Sequence, residues 1–134
     1  MNSEQQFLEL VANLVPRVNK MLAEQNYMLP IGLTCDCDKN VEAVIATTEI
    51  SDQIQELVNF VQTELKAKSG EVEATCLAYP DYENLQIVCL LENKENYCAK
   101  YLIPVNTDST PVLMSDDIEV EESFVYIFPL LEES

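Results

Sequence analysis

The spacing of apolar residues along this chain alternates between the period of a helix and the period of a strand. Phe7, Val11 and Leu14 begin a stripe with helical spacing, which predicts an amphipathic helix near the N-terminus. A second stripe over residues 54–65 predicts a second helix. Pro16 lies inside the first stripe and removes a backbone hydrogen bond, so we expect the first helix to be kinked or divided in two.

The remaining apolar segments are short and separated by turn-forming residues, as β-strands are. They cover residues 31–38, 41–48, 71–79, 85–92, 96–105 and 118–131. The segment LQIVCLLE is apolar at nearly every position, which predicts a central strand covered on both faces. Because short turns join neighbouring strands, we expect a mainly antiparallel sheet with both helices on one face. The predicted fold is an α+β two-layer sandwich with the order α-β-β-α-β-β-β and a last β.

The charge of the chain is strongly one-sided. Its 134 residues, predicted to form a single domain over 1–134, include 24 acids, 7 bases and no histidine, for a net charge of −17. The segment 106–134 carries acids but no base, and we expect it to include an edge strand. Such a surface repels nucleic acid and anionic membranes and speeds encounter with basic protein surfaces, although a role in solubility alone would also explain it.

Cysteine usage and the N-terminus both indicate a cytoplasmic protein. The five cysteines lie in apolar stretches, which is typical of reduced, buried thiols. The N-terminal MNSEQQ lacks the basic and apolar regions of a secretory leader, and the longest apolar run, 124–131, is too short to cross a membrane. Cys35 and Cys37 would lie about 6.7 Å apart on one strand face, too far for a tetrahedral zinc site. We therefore expect no metal and no cofactor.

The order of turns and strands in the middle of the chain resembles that of a known family. YMLPIGLTCDCDKNVEAV (27–44) is followed by a helix and then by EVEATCLAY, LQIVCLLEN and KYLIPV. This pattern resembles a family of small, mostly uncharacterised bacterial single-domain α+β proteins, in which a P-x-G hairpin lies between two helices. Asn40 stands where the family often has glycine, and asparagine also accepts positive φ. The resemblance covers about 27–105, implies a fold and no activity, and fits an adaptor or immunity-like role.

The sequence contains no catalytic motif. A Ser-His-Asp triad and a Cys-His pair are excluded because the chain has no histidine. Gly32 and Gly70 are the only glycines, so a phosphate-binding loop is excluded as well. An enzyme of this composition would depend on carboxylates, tyrosines or a thiol. A small enzyme or ligand-binding domain whose site is not visible in the sequence stays open as an alternative.

The candidate binding residues are acidic and lie in the second half of the chain. They are Asp116, Asp117, Glu119, Glu121 and Glu122, with Glu71 and Glu73 as a second group. We predict a non-catalytic acidic protein-binding module, inhibitor or immunity-like, that engages a basic surface of a protein partner. The other alternative is a nucleic-acid mimic that sequesters a DNA- or RNA-binding protein. Alternate strand residues are about 6.7 Å apart and phosphates on one DNA strand about 3.4 Å, so mimicry needs a second acidic row beside the first.

Overall fold

In a computed structural model of the protein, two helices pack against one antiparallel sheet. The structure describes residues 3–25, 27–106, 113–114 and 118–129. The elements in chain order are α1 (Ser3–Gln25), β1 (Ile31–Cys35), β2 (Val41–Ile45), α2 (Ile54–Lys68), β3 (Ala74–Asp81), β4 (Gln86–Asn93), β5 (Cys98–Asn106), β6 (Leu113–Met114) and β7 (Glu119–Glu121). The predicted α+β class, the antiparallel sheet and the order of helices and strands are confirmed.

The strands lie side by side in the order β2-β1-β3-β4-β5-β6, and every neighbouring pair is antiparallel. The outer side of β5 is shared by two short strands. β6 pairs with Val105 and Asn106 at the end of β5, whereas β7 pairs with residues 100–102. β4 lies between β3 and β5, in the interior position predicted for LQIVCLLE.

The two helices lie on opposite faces of the sheet, so the expectation of a two-layer sandwich with both helices on one face is wrong. Leu33 of β1 packs into the core beneath α1. Its neighbour Gly32 faces α2, where a Cβ atom would lie 2.8 Å from Cγ1 of Val61. Successive side chains of a strand point to opposite faces of a sheet, so these contacts place one helix on each face. β1 is buried along its whole length, and such a strand needs cover on both sides.

Each helix buries one apolar stripe against the sheet. α1 places Leu10, Leu14 and Val18 against the inward side chains of β1, β3, β4 and β5. α2 places Val61 and Leu65 against the opposite face. Burial of each of these side chains contributes about 2 kcal/mol to folding.

α1 runs unbroken through Pro16, so of the two expected effects of this proline, division of the helix does not occur. Pro16 is exposed, and water can therefore bind the carbonyl that a residue with an N–H group would have engaged. Among the described residues, no helix combines the length and the apolarity needed to cross a bilayer.

The turn between β1 and β2 is organised by the side chain of Asp36. Its Oδ1 accepts hydrogen bonds from the backbone N–H groups of Asp38 and Asn40, each at 2.9 Å. These bonds, led by the one from Asn40, hold the pKa of Asp36 below its usual value. Lys39, rather than Asn40, adopts positive φ, at 66°.

We expect Gly32→Ala to lower the free energy of unfolding by about 1–3 kcal/mol, because β1 and α2 have no room for a methyl group between them. The added Cβ would meet Val61 at 2.8 Å and both methyl groups of Leu65 at 3.0 Å. Gly70→Ala is the matched control: no atom lies within 4 Å of its Cβ position, and it has the same effect on the unfolded chain. Urea unfolding measures both variants, and equal stabilities would contradict the close contact of β1 with α2.

Candidate functional site

A groove of about 560 Å³ lies on the sheet face that α2 covers only in part. α2 packs on β1, β2 and β3. Beyond it, β4 and β5 present Val88, Leu90 and Leu102 as an apolar floor. Residues at the C-terminal end of β3 and on β7 border this floor. Val88 is buried, and Leu90 and Leu102 are partly exposed, so the groove combines a partly exposed apolar surface with polar side chains around it.

Charged and aromatic side chains line the border of the groove. The charged ones are Asp81 of β3, Lys100 of β5 and Glu121 of β7. Tyr79 and Tyr126 also line it. Burial raises the pKa of the Tyr79 hydroxyl, and the neighbouring Tyr126 and Asp81 raise it further. Two carboxylates against one ammonium make this border net acidic.

Glu119 and Glu121 lie on the outer strand of the sheet and point to the groove face. In the register of β5 and β7, Glu119 is opposite Leu102 and Glu121 is opposite Lys100. Both carboxylates are exposed, as is Glu122 directly after the strand. Of the predicted acidic residues, Glu121 lines the groove, and Glu119 lies on the same face of β7 two residues before it.

The other predicted acidic residues are not part of this surface. Asp116 and Asp117 lie outside the described residues. Glu71 and Glu73 precede β3, which is three strand spacings, or about 14 Å, from β7. The Glu73 carboxylate pairs with Lys94, whose Nζ lies 2.6 Å from Oε2. The second acidic row that mimicry requires is therefore not formed by these two residues: the strand beside β7 is β5, which carries a lysine there.

Glu92 is a structurally central residue that the sequence prediction missed. Its side chain is buried, at 2% exposure. Oε1 accepts hydrogen bonds from the backbone N–H groups of Ile127 (2.7 Å) and Phe128 (2.8 Å), and Oε2 accepts one from Tyr126 (2.9 Å). These three donors satisfy the carboxylate and hold the C-terminal segment against the sheet. Because Tyr126 lines the groove, Glu92 fixes one of its walls.

The C-terminal segment differs from the strand predicted over 118–131. The strand covers only Glu119–Glu121, and residues 122–129 follow an irregular path. Ile127 and Phe128 pack into the core beneath α2, each at 5% exposure. The sequence did contain one indication of this contact, namely an acidic residue, Glu92, inside the central strand. A carboxylate buried there requires hydrogen-bond donors from elsewhere in the chain. Its donors lie 34 to 36 residues away in the chain, which no local pattern predicts.

The two carboxylates of the groove are too far apart for paired acid–base catalysis. Asp81 and Glu121 are separated by three strand spacings and by about four residues along the strands, or about 19 Å. Glycoside hydrolysis by a carboxylate pair needs a separation of about 5–9.5 Å, and carboxylates that share a proton lie closer still, at about 3 Å. Asp81 also accepts hydrogen bonds from Asn84 (2.8 Å) and Gln86 (3.0 Å), which occupy one of its oxygens. Within the described residues, no three His, Cys, Asp or Glu side chains are placed to hold a metal ion.

The cysteines divide into core and surface residues. Cys35, Cys76 and Cys89 are buried and Cys98 is partly buried. A hydrogen bond with Cys76, together with burial, raises the pKa of the Cys89 thiol. Cys37 is exposed, so the expectation that it shares a buried strand face with Cys35 is wrong. The reason is that β1 ends at Cys35 and the chain turns there.

Comparison with protein-family models, curated proteins and solved structures gives no match.

We expect Glu92→Gln to lower the free energy of unfolding by about 3 kcal/mol, since a glutamine has one acceptor oxygen and brings an NH₂ group toward backbone donors. The exposed Glu83 provides the control, because Glu83→Gln makes the same chemical change without a buried partner. Denaturant unfolding of the two variants tests this. Hydrogen exchange at Tyr126, Ile127 and Phe128 should also accelerate in the Glu92 variant alone. Unchanged exchange there would contradict the role given to Glu92.

We expect Cys37 to react fastest with a thiol reagent such as iodoacetamide in the native protein, because it is the most exposed of the five thiols. Cys35, Cys76 and Cys89 should react only on unfolding. Peptide mass spectrometry after brief labelling identifies the modified residue, and Cys37→Ser should remove the fast phase. Equal labelling of Cys37 and Cys89 in the folded protein would be incompatible with the structure.

Proposed function

We propose that this protein is a non-catalytic, acidic protein-binding module whose groove beside α2 receives a basic segment of a protein partner. The observation that carries the proposal is the partly exposed apolar floor lined by Glu121, with Glu119 on the same face of β7. An apolar floor accepts the aliphatic parts of lysine and arginine side chains, and the carboxylates select their charged ends.

Exposed apolar side chains next to the groove support a protein as the ligand. Tyr126 lines the groove and is 38% exposed, and Phe124, two residues before it, is 74% exposed. Exposed aromatic residues beside acidic ones form a composition typical of protein interfaces, where aromatic anchors dominate the binding energy. Together these side chains extend the surface beyond what a small molecule would cover.

The net charge favours a basic partner over other macromolecules. At −17 the protein repels nucleic acid and anionic membranes, and it attracts a basic surface from a distance. An inhibitor or immunity-like role fits such a binding mode, because occupation of a basic functional surface is enough to block it. We place the protein in the cytoplasm, where the buried thiols of Cys35, Cys76 and Cys89 stay reduced.

Selection from a display library of random peptides tests the proposal without a known partner. We expect the selected peptides to be rich in lysine or arginine and to lose affinity steeply between about 50 and 200 mM salt, because exposed charges are screened. Glu119→Lys with Glu121→Lys should weaken their binding more than tenfold without unfolding the protein.

The matched control is Glu9→Lys with Glu24→Lys, which makes the same change in net charge on α1, the opposite layer. It should reduce affinity much less. Peptides that lack basic residues, or equal losses in the two double variants, would contradict the groove as the binding site.

A further inference from the structure

We propose that the basic partner segment binds as an additional β-strand along the free edge of β7. The inference rests on the proposed function and specifies it, because it assigns the partner segment a conformation and a residue pattern.

β7 lies at the outer edge of the sheet. It pairs with β5 through Glu119–Leu102, Val120–Tyr101 and Glu121–Lys100. On its other side, no strand of the described part of the chain pairs with it. An edge strand presents unpaired N–H and C=O groups, and an extended segment of another chain can add to them.

The side chains of β7 favour a different chain over a second copy of this protein. In an antiparallel pair of two β7 strands centred on Val120, Glu119 of each copy would lie opposite Glu121 of the other. Like charges directly opposite each other destabilise a strand pair, and each copy carries a net charge of −17. The edge therefore resists self-association.

The same geometry defines the partner segment. Lysine or arginine at two alternate positions would lie opposite Glu119 and Glu121 on the groove face, where each base meets a carboxylate. The residue between them would lie opposite Val120, which is 61% exposed and points to the other face. An apolar residue fits this position. The pattern is basic–apolar–basic in an extended segment.

Synthetic peptides test strand addition without any change to the protein. The probe is a peptide of alternating lysine and valine, compared with a peptide of the same composition in which the lysines are consecutive. We expect the alternating peptide to bind at least tenfold more tightly by fluorescence anisotropy. N-methylation of the backbone edge that faces β7 should weaken it at least tenfold, whereas N-methylation of the outer edge should leave binding within about twofold. The backbone amide signal of Val120 should shift in the ¹⁵N–¹H spectrum.

The outcomes separate the two proposals. Equal effects of N-methylation on both edges, or equal binding of the two peptides, would overturn strand addition. If strand addition is overturned in this way but the double variant Glu119→Lys with Glu121→Lys still abolishes binding of the lysine–valine peptides, the groove proposal stands. Absence of binding by both probes and by every library peptide would overturn both. Dimers of the free protein that form through Val120 would overturn the assignment of a foreign strand.

Discussion

The carboxylate of Glu92 connects the sheet to the C-terminal segment, and the shape of the candidate site depends on this connection. An ionised carboxylate loses hydration when it is buried, and that loss is large unless donors replace the water. Three consecutive backbone N–H groups supply those donors at 2.7 to 2.9 Å. Ile127 and Phe128 enter the core at the same place, so the polar and apolar contacts support each other. β7 precedes this segment directly, and its position on β5 is therefore held from one side by strand pairing and from the other by Glu92.

The groove results from a mismatch between the width of the sheet and the width of a helix. Six neighbouring strand positions span about 24 Å, whereas an α-helix with its side chains is about 10 Å wide. On its face of the sheet, α2 covers β1, β2 and β3, and the C-terminal segment covers a further part. Leu90 and Leu102 stay only partly covered. The apolar floor is thus a consequence of the architecture, and its border carries Asp81 and Glu121 beside Lys100.

Charge and strand pairing contribute different information about binding. The net charge determines which sign of charge on a partner is attracted at long range. This attraction depends little on where in the structure the acidic residues lie. Strand pairing determines which acids can act together. Glu119 and Glu121 share a face and an exposed edge, whereas Glu73 is paired with Lys94. The proposed partner segment, with bases at alternate positions, matches the spacing of Glu119 and Glu121. It does not match Glu73, whose carboxylate is already paired with Lys94.

The sequence by itself determined the positions of both helices, the strands β1 to β5 in their order, and the sign of the surface charge, because these follow from local spacing and composition. The stripe containing Leu10 and Leu14 and the apolar run of β4 are examples. Tertiary structure alone decided which face each helix covers, since β1 is buried on both sides and its pattern does not distinguish them. It also decided that Glu71 and Glu73 lie two strands away from β5, because strand order depends on contacts between distant segments. The hydrogen-bond donors to Glu92 were also decided by the tertiary structure. An acid in a central strand indicates that donors are needed, but only the folded chain determines which residues supply them.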